Sequence, residues 1–170
     1  PLAWTQDQLE AGVNLLKAKL EHEPRLAIKD PRLCLVLPYW RAVAEHLNVP
    51  LRCCLVYRNP LDIAASLQQR NALPHPLGLG LNHAYWTQLL RDTEPNSFVI
   101  GYGNFLSDPS ATLSSIEKWL KEPKIPEIAK TFIHEFLDSG MQHHAHDLAE
   151  LNAMPLVPRG LLDAAEALNQ

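Results

Sequence analysis

Residues 58–70 read RNPLDIAASLQQR, and three of them carry chemistry at helical or near-helical spacing. Arg58 brings a permanent, planar guanidinium whose fork matches phosphate oxygens. Ser66 offers a hydroxyl eight residues on, and Arg70 a second guanidinium four residues later. Residues four apart share a helix face. A short loop and about one helical turn can return Ser66 to the position of Arg58, so the pair can grip one phosphate from two sides. A second reading fits the same residues. Arg58 then caps carbonyls or pairs with Asp62, Ser66 is a small packing residue, and Arg70 is a solvated charge.

Lys29 and Tyr102 are the other candidates. Lys29 precedes Asp30-Pro31-Arg32. A lysine there can stabilise charge that develops on a leaving phosphate oxygen, or it can be an exposed residue beside an Asp30–Arg32 surface turn. Tyr102 can offer its ring to a nucleobase or belong to the core. HHAHD, with His143, His144, His146 and Asp147, holds ligand types that suit zinc. Adjacent histidines diverge on a helix or a strand, however, and no second ligand cluster accompanies them, so no metal is expected.

These residues need elements to position them. Cys53 to Tyr57 is a continuous apolar run, which predicts a strand over 52–57 covered on both faces. Leu26 to Ile28 predicts a short strand closed by KDPR, and SFVIGY predicts another over 97–102. Helices are expected over about 5–21 with Leu9, Val13, Leu16 and Leu20 on one face, and over 33–47 with Pro38 as a break. More are expected over 61–70, 80–92, from Pro109 with Asp108 as cap, and over 125–138. NALPHPLGLGLN reads as a Pro/Gly-rich loop. The stretch from His143 to Gly160 reads as irregular or mixed, and the last residues as helical. Strands separated by helices predict an α/β fold with a parallel sheet flanked by helices. Ligands of such sheets sit beyond the strand C-termini. KDPR, YRNP and YGNF all fall there.

The bulk composition agrees with one domain. The 170 residues are 46% apolar, enough for a core. The net charge of −4 excludes a general nucleic-acid binder. The charge is uneven: Lys17 to Arg70 holds nine Lys/Arg against five acids, and a local positive field can focus a small anion. The three cysteines form no framework or metal spacing, which points to a reducing, cytoplasmic compartment. No run is apolar enough to span a bilayer, and no signal peptide is visible.

Three stretches, in order, resemble the sulfotransferases that use 3′-phosphoadenylyl sulfate (PAPS): PRLAIKDPRLCLVLPYW, VYRNPLDIAASLQQR and VIGYGNFLSDPSATL. The resemblance covers about residues 25 to 122. It implies that Arg58 and Ser66 hold the 3′-phosphate with Arg70 assisting, and that Tyr102 contacts the adenine. Lys29 then stands at the sulfuryl or 5′-phosphate end as the catalytic cation. The KDP motif and the arginine four residues after the serine are closest to tyrosylprotein sulfotransferases and bacterial relatives. The implied fold is P-loop NTPase-like. The implied co-substrate is PAPS, without a metal, and the implied acceptor is a small molecule, glycan or peptide bearing a hydroxyl or amine. The histidine that cytosolic members place two residues after the lysine is replaced by Pro31. The family's opening strand and Gly/Ser/Thr-rich loop for the 5′-phosphosulfate have no counterpart in the chain. Gly12 lies in a helical pattern, and Gly78 and Gly80 lie elsewhere. The expectation is therefore an N-terminally incomplete domain, inactive in transfer by itself. Basic C-terminal loops often close the nucleotide site in this family, a role open to the histidines. Two alternatives remain: a kinase-like phosphotransferase with Asp30 as the metal-binding acid, and a non-catalytic nucleotide-binding or interaction module.

Overall fold

The structure is a computed structural model, and it describes residues 3–94, 96–121, 131, 133, 146 and 148–153. The chain is mixed α/β, mostly helical, with a parallel pair of strands. Its contacts divide it into two units, 1–53 with 85–94 and 54–84 with 95–170.

In the first unit, helix α1 (Gln6–Leu20) opens on a capping box. Thr5 Oγ1 accepts the Gln8 N–H at 3.3 Å, and Gln8 Oε1 accepts the Thr5 N–H at 2.9 Å, which satisfies two donors the helix leaves open. Asp7 in the first turn and Lys17 and Lys19 in the last suit the helix dipole. Leu9, Val13, Leu16 and Leu20 are half-buried on one face, as their spacing predicts. Helix α2 (Leu33–His46) kinks at Val36, where φ is −121° and ψ is 16°. Pro38 has no N–H to give to the carbonyl of Cys34, so the ladder breaks there. The two helices meet where Gly12 faces Tyr39 and Val43. The Tyr39 hydroxyl donates to the Gln8 carbonyl at 2.7 Å, and its ring meets Trp4 and Trp40 edge-on. Beside this contact lies a cleft of about 370 Å³ lined by Trp4, Gln8, Val36, Pro38 and Tyr39.

The strand expected at residues 26–28 does not form. The backbone from Arg25 to Asp30 carries no ladder, and Leu26 and Ile28 are 43% and 49% exposed. Three apolar residues supply a local pattern, but a strand exists only with a partner. Among the described residues the two strands pair only with each other.

In the second unit, strand β1 (Cys54–Tyr57) pairs in parallel with β2 (Phe98–Gly101), with Cys54 opposite Phe98 and Tyr57 opposite Gly101. A parallel pair needs a long crossover, supplied by α3 (Pro60–Asn71) and α4 (His75–Asp92). Leu55 and Tyr57 are buried, but Cys54 is exposed and Val56 is 61% exposed. The expected cover on both faces of this strand is therefore corrected to one. Helix α3 starts on a cap from Asn59, whose Oδ1 accepts the Leu61 N–H at 2.9 Å, with Pro60 at its first position. It buries Leu61, Ala64 and Ala65.

Helix α4 begins at His75, inside the stretch expected to be a loop. Pro76 sits in the first turn, where a missing N–H costs nothing. Gly78 packs so closely that a Cβ there would lie 3.1 Å from Ala64. The proline and glycine that signal a loop thus serve a helix start and a close helix–helix approach. The division between the two units falls within α4.

After β2 the chain enters α5 (Tyr102–Ser107) directly, then α6 (Pro109–Leu120), capped as predicted by Asp108, whose Oδ1 accepts the Ala111 N–H at 2.8 Å. Trp119 stacks on Phe98 and donates to the Asn96 carbonyl at 2.9 Å, which ties α6 to the start of β2. Helix α7 (Leu148–Ala153) forms in the stretch read as irregular, and its Leu151 is fully buried. The helix expected over 125–138 and the helical C-terminus lie outside the described residues. Among the described residues no helix is long and apolar enough to cross a membrane.

Candidate anion site at the end of a parallel strand

The last ladder pair is Tyr57 with Gly101. In a parallel pair the next residues of both strands emerge at the same end, so Arg58 and Tyr102 are neighbours there. The Arg58 guanidinium lies over the Tyr102 ring, 4.8 Å from its centroid, a cation–π geometry. The Arg58 side chain is 22% exposed. Its Nε is buried and without a hydrogen bond, and it faces Asp62 Oδ2 at 3.6 Å. No hydrogen bond of its two terminal nitrogens occurs among the described residues. The ion pair with Asp62 considered at the outset is thus present, in a form that leaves the outer edge of the guanidinium open.

Asp62, Ser66 and Arg70 recur at every fourth residue of α3 and so share one stripe of it. Asp62 is buried, Ser66 half-buried and Arg70 exposed. The stripe thus begins at the strand end and leads outward. Arg70 Nε donates to Asn71 Oδ1 at 2.8 Å.

The sequence did not point to Asp62 as the hub of this site. Its Oδ1 accepts the backbone N–H of His146 at 2.9 Å and lies 2.7 Å from His146 Nδ1. Asn59 Nδ2 donates to the His146 carbonyl at 2.7 Å. The turn between β1 and α3 therefore grips one residue from far along the chain by both its backbone groups and its ring. HHAHD drew attention to His146, and nothing in the local sequence named its partner. His143, His144 and Asp147 lie outside the described residues. Among the described residues no three His, Cys, Asp or Glu side chains converge as a metal site.

Lys29 belongs to the first unit and is exposed. The residues after it close a tight turn. Asp30 Oδ1 accepts from the Arg32 N–H at 2.8 Å and from its Nε at 2.9 Å, and Oδ2 accepts from a terminal nitrogen at 2.6 Å. The Arg32 side-chain hydrogen bond, helped by the Arg32 backbone N–H, holds the Asp30 carboxyl well below the usual carboxylate range. The same pairing raises Arg32 above its ordinary value.

Comparison with protein-family models, with curated proteins and with solved structures finds no match.

Proposed function

We propose that this chain is a PAPS-dependent sulfotransferase domain whose second unit binds the 3′-phosphoadenosine part of the co-substrate. The observation that carries the reading is Arg58: a half-buried guanidinium at the C-terminal end of a parallel strand, backed by Tyr102 and open at its terminal nitrogens. A planar fork held in this way suits two oxygens of a phosphate. Ser66 and Arg70 supply a hydroxyl and a second cation along α3, and Tyr102 supplies an aromatic ring for adenine. The three ordered motifs add the sulfuryl chemistry to this anion site.

In the reaction, the acceptor oxygen or nitrogen forms a bond to sulfur as the bond from sulfur to the bridging phosphate oxygen breaks. The electron pair leaves with adenosine 3′,5′-bisphosphate, and the acceptor proton passes to a base. Lys29, on the strength of its motif, is assigned to the charge growing on the bridging oxygen. Among the described residues no glycine-rich loop follows a strand, so bisphosphate binding is the direct test of this chain. Asp30 weighs against the phosphotransferase alternative. Both its oxygens are engaged by Arg32, and a metal ion would have to displace that guanidinium.

The test is calorimetry with adenosine 3′,5′-bisphosphate and with 5′-AMP. Arg58→Ala is expected to weaken the bisphosphate selectively. A hydrogen-bonded charged group contributes about 1.5–3 kcal/mol, so the loss is roughly tenfold to a hundredfold. Equal losses for both nucleotides remove Arg58 from the 3′ end, and no binding of either by the wild type removes the reading.

A further inference from the structure

The cleft of about 370 Å³ beside the α1–α2 contact belongs wholly to the first unit, and the proposed function leaves it unused. Its size is at the small end of ligand cavities, about 300–1,000 Å³. Its walls come from Trp4 ahead of α1, Gln8 and Ala11 on α1, and Val36, Pro38 and Tyr39 at the kink of α2. None of these side chains is charged. The Trp4 and Tyr39 rings lie nearly at right angles, with 77° between planes and 5.6 Å between centroids. A planar guest that stacks on one ring therefore meets the edge of the other, and both arrangements are favoured between aromatic groups. The Tyr39 wall is set in advance. Its hydroxyl donates to the Gln8 carbonyl at 2.7 Å, and Gly12 is in close contact with the ring. Preformed walls lower the cost of binding.

The hydrogen-bonding groups of the walls narrow the guest further. Gln8 Oε1 is taken by the Thr5 N–H at 2.9 Å. Gln8 Nε2 makes no hydrogen bond among the described residues, and neither does Trp4 Nε1. Both are donors only, and the Tyr39 hydroxyl has spent its proton on the Gln8 carbonyl. The donors left over match an acceptor on the guest. A charged guest would lose hydration against apolar walls that offer no opposite charge. We propose that the cleft binds a planar, uncharged ring compound that carries a hydrogen-bond acceptor: the ring lies against Trp4 and Tyr39, and Gln8 Nε2 donates to the acceptor. The inference is independent of the reading of Arg58.

Quinoline is the first probe, because it is planar, uncharged at neutral pH and carries a ring nitrogen that accepts. Benzene is the second, a ring without an acceptor. Nitrogen–proton NMR of the Trp4 indole and the Gln8 side-chain amide follows each titration on the full chain. The wild type is expected to show saturable quinoline shifts at both groups, with a roughly millimolar dissociation constant, as suits a probe of about ten non-hydrogen atoms. Ala11 is exposed, so Ala11→Leu fills the cleft from a position where leucine suits the helix; it is expected to abolish the shifts and leave the rest of the spectrum in place. Gln8→Glu keeps the capping box, which glutamate also serves, and removes the donor. It is expected to weaken quinoline roughly twofold to tenfold and to leave the Trp4 shifts caused by benzene unchanged. Unchanged quinoline binding in Gln8→Glu overturns the assignment of the acceptor to Gln8. Absence of saturable shifts at Trp4 in the wild type, or equal shifts in Ala11→Leu, overturns the site. A Trp4 signal that moves with protein concentration before any probe is added would place a second copy of the chain in the cleft and overturn the small-molecule assignment.

Discussion

Arg58 and Tyr102 follow paired strands and meet at their shared end, the guanidinium over the ring and 4.8 Å from its centroid. The ring backs the guanidinium without using any of its N–H donors. A cation positioned in this way is worth about 0.5–2 kcal/mol, depending on desolvation. Tyr102→Leu is therefore expected to weaken adenosine 3′,5′-bisphosphate binding by roughly threefold to thirtyfold, whereas Tyr102→Phe keeps the ring and should stay close to wild type. Equal losses in the two variants would assign the effect to the hydroxyl instead of the ring face.

The Asp30–Arg32 turn has a signature in acid. Because the Arg32 hydrogen bonds lower the Asp30 carboxyl, the folded form favours the carboxylate. The stabilising contribution is present above the ordinary aspartate value of about 3.9 and is lost as pH falls through the lowered folded value. In a carbon NMR titration of the carboxyl groups, Asp30 should stay ionised after the exposed acids have protonated. Arg32→Ala should return it part of the way, since the backbone N–H of residue 32 still donates. An ordinary aspartate titration in the wild type would show that the turn is open in solution.

Legibility in the sequence followed the range of the determinant. Asn59-Pro60 and Asp108-Pro109 are caps whose partners lie two or three residues away, so both helix starts could be read. The helix repeat of Leu9, Val13, Leu16 and Leu20 was equally local. The run Cys53 to Tyr57 revealed a strand but not its cover, because an apolar side chain does not record whether anything packs on it; Val56 shows the difference. Leu26 to Ile28 failed as a strand for want of a partner. The hub at Asp62 was illegible because its ligand lies 84 residues away and no periodicity connects the two.

Two helical glycines make opposite predictions. At Gly12 an added Cβ would lie 2.9 Å from both Tyr39 Cζ and Val43 Cγ2 and would run into the Tyr39 hydroxyl. That hydroxyl is bonded to the Gln8 carbonyl, and its ring is packed between Trp4 and Trp40, so it has little room to retreat. Overpacking of this kind costs about 1–3 kcal/mol, more than the gain of about 1 kcal/mol from replacing a helical glycine. At Gly80 nothing lies within 4 Å of the added methyl. In urea denaturation, Gly12→Ala should therefore lower stability and Gly80→Ala raise it by up to about 1 kcal/mol. A stabilised Gly12→Ala variant would mean that α1 and α2 are less closely packed than described.

Lys29 separates the transfer reaction from nucleotide binding. Its side chain is exposed, and the turn beside it is closed by hydrogen bonds among Asp30, Arg32 and Leu33, so Lys29→Ala removes no packing. Its effect on stability should fall within about 0.5 kcal/mol. If Lys29 acts on charge that appears only as the sulfur–oxygen bond breaks, its loss lowers kcat and leaves ground-state affinity in place. Removal of one such charge-stabilising group typically costs about a hundredfold to a thousandfold in kcat. The measurement is PAPS consumption in the form of the protein that turns over, paired with adenosine 3′,5′-bisphosphate calorimetry on the same variant. A loss of turnover with unchanged bisphosphate affinity supports the assignment. Unchanged turnover makes Lys29 a surface charge beside a turn, and weaker bisphosphate binding would move its role from the reacting bond to the bound nucleotide.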